Sequence, residues 1–278
     1  MVMNHLTTAI LSFLFIVFAR LETVCAQEFK FAFLTDMHVY SDSTLGQVEH
    51  RLKSLPPAVE LLLSGGDNVD IDNLKAADLP AGEKRLKSLK GLFDRAKKPY
   101  RMAIGNHDRL PRDMRNGSND FELFEKTFGQ TYFSFDHKGW RFIVLNSVET
   151  RDNHYVIGDK QLEWLQNLVK TTAKDQPLVI ISHIPFLSVY YPVLEGRYTA
   201  ADTFLNQKQV FDLFKEHNLK LVLQGHMHLY EEIKVKGVQF ITAGAVSGNW
   251  WQGAFEDTAP GHLEVHVKGR DFSWKYVK

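Results

Sequence analysis

Seven side chains able to hold a divalent metal stand in short clusters along the chain: Asp36 and His38, Asp67, Asn106, His183, and His226 with His228. They are carboxylates, imidazoles and one amide oxygen, a set without sulfur that suits Mn, Fe, Zn or Ni and does not choose among them. Seven donors exceed what one ion with an open catalytic position takes. They match two ions sharing one carboxylate, the arrangement that clamps the attacking and leaving oxygens of a phosphoryl displacement. In Asp36-Met37-His38 and His226-Met227-His228 the donors are two residues apart, so on extended backbone they point to the same side. Two divalent cations, two carboxylates and one bridging hydroxide leave a centre of about +1, suited to an anionic ester and its more highly charged transition state. Beside Asn106 stands His107, an imidazole that titrates near neutrality and can donate a proton where a ligating histidine cannot.

These residues must be positioned by the apolar runs that precede them. Residues 29–35 lead into Asp36, residues 59–63 through Ser64-Gly65-Gly66 to Asp67, and residues 100–104 to Gly105-Asn106-His107-Asp108. Residues 178–181 end at Ser182-His183, residues 219–223 at Gln224-Gly225-His226, and residues 238–241 at Thr242-Ala243-Gly244; residues 142–145 form a further strand. Short buried runs ending in glycine or polar residues read as strands, and open α/β sheets place ligands outside the carboxyl ends of their strands. Helical spacing appears over residues 83–97 and 161–170, and again at Val210, Leu213 and Phe214, which puts His217 at a helix end. Alternating strands and helices predict an α/β fold with a largely parallel sheet and crossover helices. Residues 261–267 and 271–277 alternate apolar and polar around Lys268-Gly269-Arg270, the pattern of a hairpin. The clusters run from Asp36 to His228 without a linker, so residues 27–278 are read as one domain.

Composition narrows the setting. Basic and acidic residues balance at 33 each, so no nucleic-acid polymer or anionic surface is expected as a partner. The one cysteine, Cys25, excludes a disulfide framework and a thiolate metal site. Residues 1–26 read as a signal peptide: residues 9–19 are an apolar segment, and Val24-Cys25-Ala26 resembles a cleavage site. That segment is shorter than the roughly 20 residues a spanning helix needs, so no transmembrane span is expected in the mature chain. An exported protein, periplasmic or secreted, beginning near Gln27 is the expectation.

Taken in order, the clusters resemble the signature of the calcineurin-like metallophosphoesterases, D-x-H, G-D-x-x-D, G-N-H-D/E, a lone H and G-H-x-H, here in an exported, bacterial-type chain. They appear as Asp36-Met37-His38, Gly66-Asp67-Asn68-Val69-Asp70, Gly105-Asn106-His107-Asp108, His183 and Gly225-His226-Met227-His228. The resemblance implies a four-layer α/β/β/α sandwich of two mixed sheets flanked by helices. It also implies that Asp36, His38 and His228 hold one metal, that Asn106, His183 and His226 hold the other, and that Asp67 bridges them. A hydroxide between the ions then attacks phosphorus, His107 serves as general acid, and Asp108 orients His107. Purple acid phosphatases, which the pattern also resembles, carry tyrosine where Asp70 stands, which argues against a ferric site; Asp70 is expected to accept a hydrogen bond from a ligand histidine. The implied activity is a metal-dependent phosphoesterase acting on a small phosphate ester, with phosphodiesters favoured. A phosphomonoesterase on the same centre, or a non-catalytic metal-stabilised scaffold, are the alternatives. A Ser/His/Asp esterase is not supported, for want of a G-x-S-x-G turn.

Substrate choice is expected to lie in residues 109–120, 186–204 and 247–253. In the last of these, Trp250 and Trp251 either stack on a base or sugar or plug the sheet edge. Asn116-Gly117-Ser118 fits a glycosylation sequon. His5 falls in the signal segment, and His50, His137, His154, His262 and His266 are read as surface or packing residues.

Overall fold

A computed structural model of the chain describes residues 27–115 and 120–278. The signal segment with His5 and Cys25, and the sequon at Asn116, lie outside the described residues. In chain order the strands are β1 (Glu28–Leu34), β2 (Val59–Ser64), β3 (Tyr100–Arg101), β4 (Phe133–His137), β5 (Trp140–Leu145), β6 (Glu149–Arg151) and β7 (His154–Val156). They continue with β8 (Leu178–Ser182), β9 (Leu219–Gln224), β10 (Glu231–Val235), β11 (Val238–Thr242), β12 (His262–Lys268) and β13 (Asp271–Val277). The α-helices are α1 (Asp42–Lys53), α2 (Leu79–Arg95), α3 (Glu122–Phe128), α4 (Asp159–Thr171) and α5 (Gln207–Asp212).

The parallel strands do not share one sheet. One sheet runs β13-β12-β1-β2-β3 and the other β10-β11-β9-β8-β5-β4, while β6 and β7 form a small separate ladder. Pairing is parallel from β1 to β3 and from β5 through β8 and β9 to β11; β12, β13, β10 and β4 add antiparallel edges. Two mixed sheets are what the family resemblance implies; the largely parallel sheet expected from alternation alone is divided between them, with the terminal hairpin built into the first.

Side-chain alternation explains the layering. In β1, Phe29, Phe31 and Phe33 join Leu61, Phe142, Val179, Leu221 and Val265 in a core made by both sheets. Ala32 and Leu34, on the opposite face, pack with Leu62 and with helix residues such as Val48, Leu86 and Leu89. Strands buried on both faces read as continuous apolar runs, because neither face meets water.

Boundaries depart from expectation where local chemistry intervenes. Helix α2 begins before residue 83 because Pro80 stands in its first turn, where its missing N–H costs nothing. Helix α1 has no counterpart in the sequence reading; its cap is the reciprocal pair Ser41 and Thr44, a weaker signature than one ending in Glu or Gln. Only Tyr100–Arg101 pair in the ladder as β3, although Met102, Ala103 and Ile104 stay buried. Helix α5 stops at Asp212, so His217 lies in the turns beyond it instead of at its end.

Candidate metal centre

Both sheets deliver their loops to one crevice. Asp36 and His38 follow β1, Asp67 follows β2, Asn106 follows β3, His183 follows β8, and His226 and His228 follow β9. The first two loops run side by side: Asp36, His38 and Val39 donate backbone N–H groups to the carbonyls of Gly66, Asp67 and Asn68 at 3.0, 3.0 and 3.1 Å. Across the crevice the His226 amide donates to the Asp36 carboxylate at 3.1 Å. Asp36, His38, Asp67, His226 and His228 all have φ between 42° and 72°. That left-handed region costs a residue with a side chain on the order of 1–3 kcal/mol, and such strain concentrates at functional sites. Close approach makes one glycine obligatory: a Cβ on Gly105 would lie 2.0 Å from the Asp67 nitrogen.

The side chains collect into groups with metal-ligand geometry. Asp36, His38 and His228 form one and Asp67, His183 and His226 another. In the first, His38 Nε2 lies 3.1 Å from His228 Nε2, which is 3.5 Å from Asp36 Oδ1. In the second, His183 Nε2 lies 3.2 Å from Asp67 Oδ2 and 3.0 Å from Asn106 Oδ1. Asp67 Oδ2 is also 3.7 Å from His38 Nε2, so this oxygen stands between the groups.

The outer nitrogens decide what the inner ones can do. His183 Nδ1 meets the Gly65 carbonyl at 2.8 Å and His228 Nδ1 meets the Gly248 carbonyl at 2.5 Å. A carbonyl only accepts, so each Nδ1 carries the proton and, in the neutral ring, each Nε2 keeps a lone pair for a metal. His38 Nδ1 bonds Asp70 Oδ1 at 2.7 Å, which orients its ring in the same sense. Seven oxygen and nitrogen donors, with ring nitrogens turned inward by their outer partners, fit two divalent ions. Burial alone would raise the Asp36 carboxyl, but contact with His228 and the charge of nearby histidines bring it down to about 2. Asp67, equally buried, is held well below the usual carboxylate range by His183, His107 and His38.

His107 stands at the edge of this set, its Nε2 3.9 Å from Asp67 Oδ2. Its Nδ1 bonds Asp72 Oδ1 at 2.7 Å, so Asp72 orients the ring, not Asp108. Burial favours the neutral imidazole, but Asp67 and Asp72 outweigh it and push His107 up to about 10. Asp108 faces away: its carboxylate accepts from the Asn68, Val69 and Gly105 amides at 2.9, 2.9 and 2.8 Å and from Asn68 Nδ2 at 2.7 Å. The earlier assignment is corrected, because four donors from two loops claim that carboxylate and make it a staple beneath Asp67. Asp108→Ala strands those donors and is expected to destabilise the fold by at least about 3 kcal/mol. Thermal unfolding together with metal content checks this; an unchanged melting temperature with both metals kept contradicts the staple role.

Residues 29–230 match the family model for calcineurin-like phosphoesterases, most of the described chain. The chain belongs to this family. A stretch of 165 residues is 27% identical to purple acid phosphatase 13 of Arabidopsis thaliana, covering 53% of this chain and only 28% of that protein. A dimetal phosphatase from Danio rerio superposes with a TM-score of 0.60 at 14% identity, over 90% of this chain and 99% of that one. The purple acid phosphatase PPD1 of yellow lupin gives 0.62 at 14% identity, over 92% of this chain and 52% of that one. At these identities the two structures attest the shared fold.

Within this family member, two residues near the donors were not singled out from the sequence. Asp72 belongs to no cluster; it reaches His107 because Ile71 and Asp72 donate their amides to the His107 carbonyl at 2.9 and 3.2 Å. Asp202 lies in the 186–204 stretch expected to set substrate choice but in no motif of its own, and meets His226 Nε2 at 3.1 Å. The two tryptophans sit in different surroundings. Trp250 stacks on His228 with centroids 4.3 Å apart and faces the cleft, while Trp251 donates Nε1–H to the His38 carbonyl at 3.1 Å as a packing residue. Of the remaining histidines, His262 is buried, and His137 and His266 pair with Glu60 and Glu28.

Proposed function

We propose that this family member is a metal-dependent phosphoric ester hydrolase that favours phosphodiesters, with His107 as the general acid. The observation that carries it is the pair of donor groups, Asp36/His38/His228 and Asp67/His183/His226, meeting at Asp67 Oδ2. Asn106 completes the second group. Two divalent ions bound there supply an activated nucleophile and positive charge opposite the phosphate. His107 contributes a proton: with Nδ1 held by Asp72, Nε2 is directed toward Asp67 and is the atom that delivers it to the departing oxygen.

Preference for diesters is supported by the cleft lining. Asp202 lines it, beside a Glu195 paired with Arg197, and no lysine or arginine belongs to the lining among the described residues, an environment that disfavours the extra charge of a monoester dianion. Parallel hydrolysis of a nitrophenyl phosphodiester and monoester by protein refilled with Mn, Fe, Zn or Ni tests this. Faster diester turnover is expected; equal or faster monoester turnover contradicts the preference.

Asp72→Asn keeps an acceptor for His107 but removes the charge, and is expected to lower turnover of an alkyl ester about 10- to 100-fold with metal content unchanged. An unaltered rate on that ester removes Asp72 from the account. Export rests on residues 1–26, with the chain maturing near Gln27 in the periplasm or outside the cell. N-terminal sequencing of the exported protein is expected to begin there. No helix among the described residues is long and apolar enough to cross a membrane.

A further inference from the structure

We propose that the cleft beside the metal donors selects phosphate esters whose alcohol carries a quaternary or protonated amine. The inference rests on the phosphoesterase reading and adds the substrate class. Four aromatic residues, Tyr190, Tyr191, Trp250 and Phe255, line this cleft with the carboxylates of Glu195 and Asp202. The ring planes run in two directions. Tyr190 and Phe255 are nearly parallel, 13° apart with centroids at 6.3 Å, while Tyr191 stands at 87° to Tyr190 and Trp250 at 89° to Phe255. Crossed ring planes let a compact, round cation touch more than one ring, and aromatic faces attract cations through their quadrupole.

Charge and size argue against the other alcohols. A nucleotide or an acidic alcohol would bring negative charge toward Asp202, while Arg197, the arginine at the cleft's edge, is taken by Glu195, and no lysine or arginine belongs to the lining among the described residues. A plain hydrocarbon would strip water from those carboxylates and return nothing. The cleft volume is about 210 Å³, below the roughly 300 Å³ at which pockets for larger organic ligands begin. That space suits a phosphate and a small headgroup. The protein itself illustrates the attraction: the Arg197 guanidinium lies 4.5 Å from the Tyr191 centroid and pairs with Glu195 at 2.6 Å. Arg197 offsets Glu195, which leaves Asp202 as the acid facing the donors, joined to Tyr191 and His226.

In the reaction water adds to phosphorus, the bond from phosphorus to the amino-alcohol oxygen breaks, and His107 returns a proton to that oxygen. Phosphate or a phosphomonoester and the free amino alcohol are the products. The cationic group can come from a soluble ester or from a lipid headgroup, and the chemistry recognised is the same.

The test compares glycerophosphocholine with its neutral carbon isostere, the 3,3-dimethylbutyl ester, using manganese-loaded full-length protein. A nitrophenyl phosphodiester serves as the control, and vesicles of short-chain phosphatidylcholine serve as the lipid arm. Choline-ester kcat/KM about tenfold above the isostere is expected, a ratio that falls toward one in Trp250→Leu and in Phe255→Leu. Tetramethylammonium, at constant ionic strength, is expected to quench tryptophan fluorescence saturably in the wild-type protein and not in Trp250→Leu. Preference for the vesicles over glycerophosphocholine supports the proposal and names a lipid source; the reverse supports it and names a soluble one. Equal rates on the choline ester and its isostere overturn the cage while the phosphoesterase reading stands. So does hydrolysis of the nitrophenyl diester alone. If the nitrophenyl diester is inert with every metal as well, the phosphoesterase reading fails and takes the cage with it.

Discussion

Asp67→Asn is expected to lower turnover about 10³-fold, the size of effect seen when a principal electrostatic element of a site is removed. The substitution keeps the shape and the oxygen that accepts the His107 amide at 2.8 Å. What disappears is the charged Oδ2, the atom placed 3.2 Å from His183 and 3.7 Å from His38. No other carboxylate oxygen among the described residues stands between both donor groups, so its loss weakens both ions together. Metal analysis after dialysis is expected to show fewer than two ions per chain. Two ions retained with near-normal turnover would show that Asp67 does not bridge.

The second large effect falls on a residue whose removal is expected to keep both metals in place. His107→Ala removes the ring that Asp72 holds by Nδ1, and turnover of esters with poor leaving groups is expected to fall about 10²- to 10⁴-fold. Nitrophenyl esters depart without a proton and are expected to fall much less. Comparing an alkyl with a nitrophenyl ester, with metal content measured on the same sample, separates protonation from metal loss. Equal losses on both esters, with metals intact, would assign His107 to charge stabilisation instead of proton transfer.

The donors were legible because all but His183 sit in short motifs, and each, His183 included, stands just past an apolar run that local sequence shows. The residues missed depend on contacts between loops. Asp72 reaches His107 only because the backbone of Ile71 and Asp72 folds onto the His107 carbonyl, and Asp202 reaches His226 from a different loop. Asp108 was given the neighbouring histidine on adjacency alone, whereas the structure satisfies its carboxylate with amides from residues 68, 69 and 105. The division of parallel strands between two sheets was hidden for a similar reason. Phe31 and Ala32 are both buried, and the strand does not reveal that one meets another sheet and the other meets helices. Family resemblance supplied that layering; periodicity did not.

The proposed phosphoesterase activity depends on two ions held at these donors. Stripping the metals and titrating manganese back, while counting bound ions and following hydrolysis of a nitrophenyl phosphodiester, tests it most directly. No activity without metal, full activity at two ions per chain, and loss of that recovery in Asp67→Asn are expected. Two ions bound without hydrolysis, or hydrolysis indifferent to metal, would contradict it.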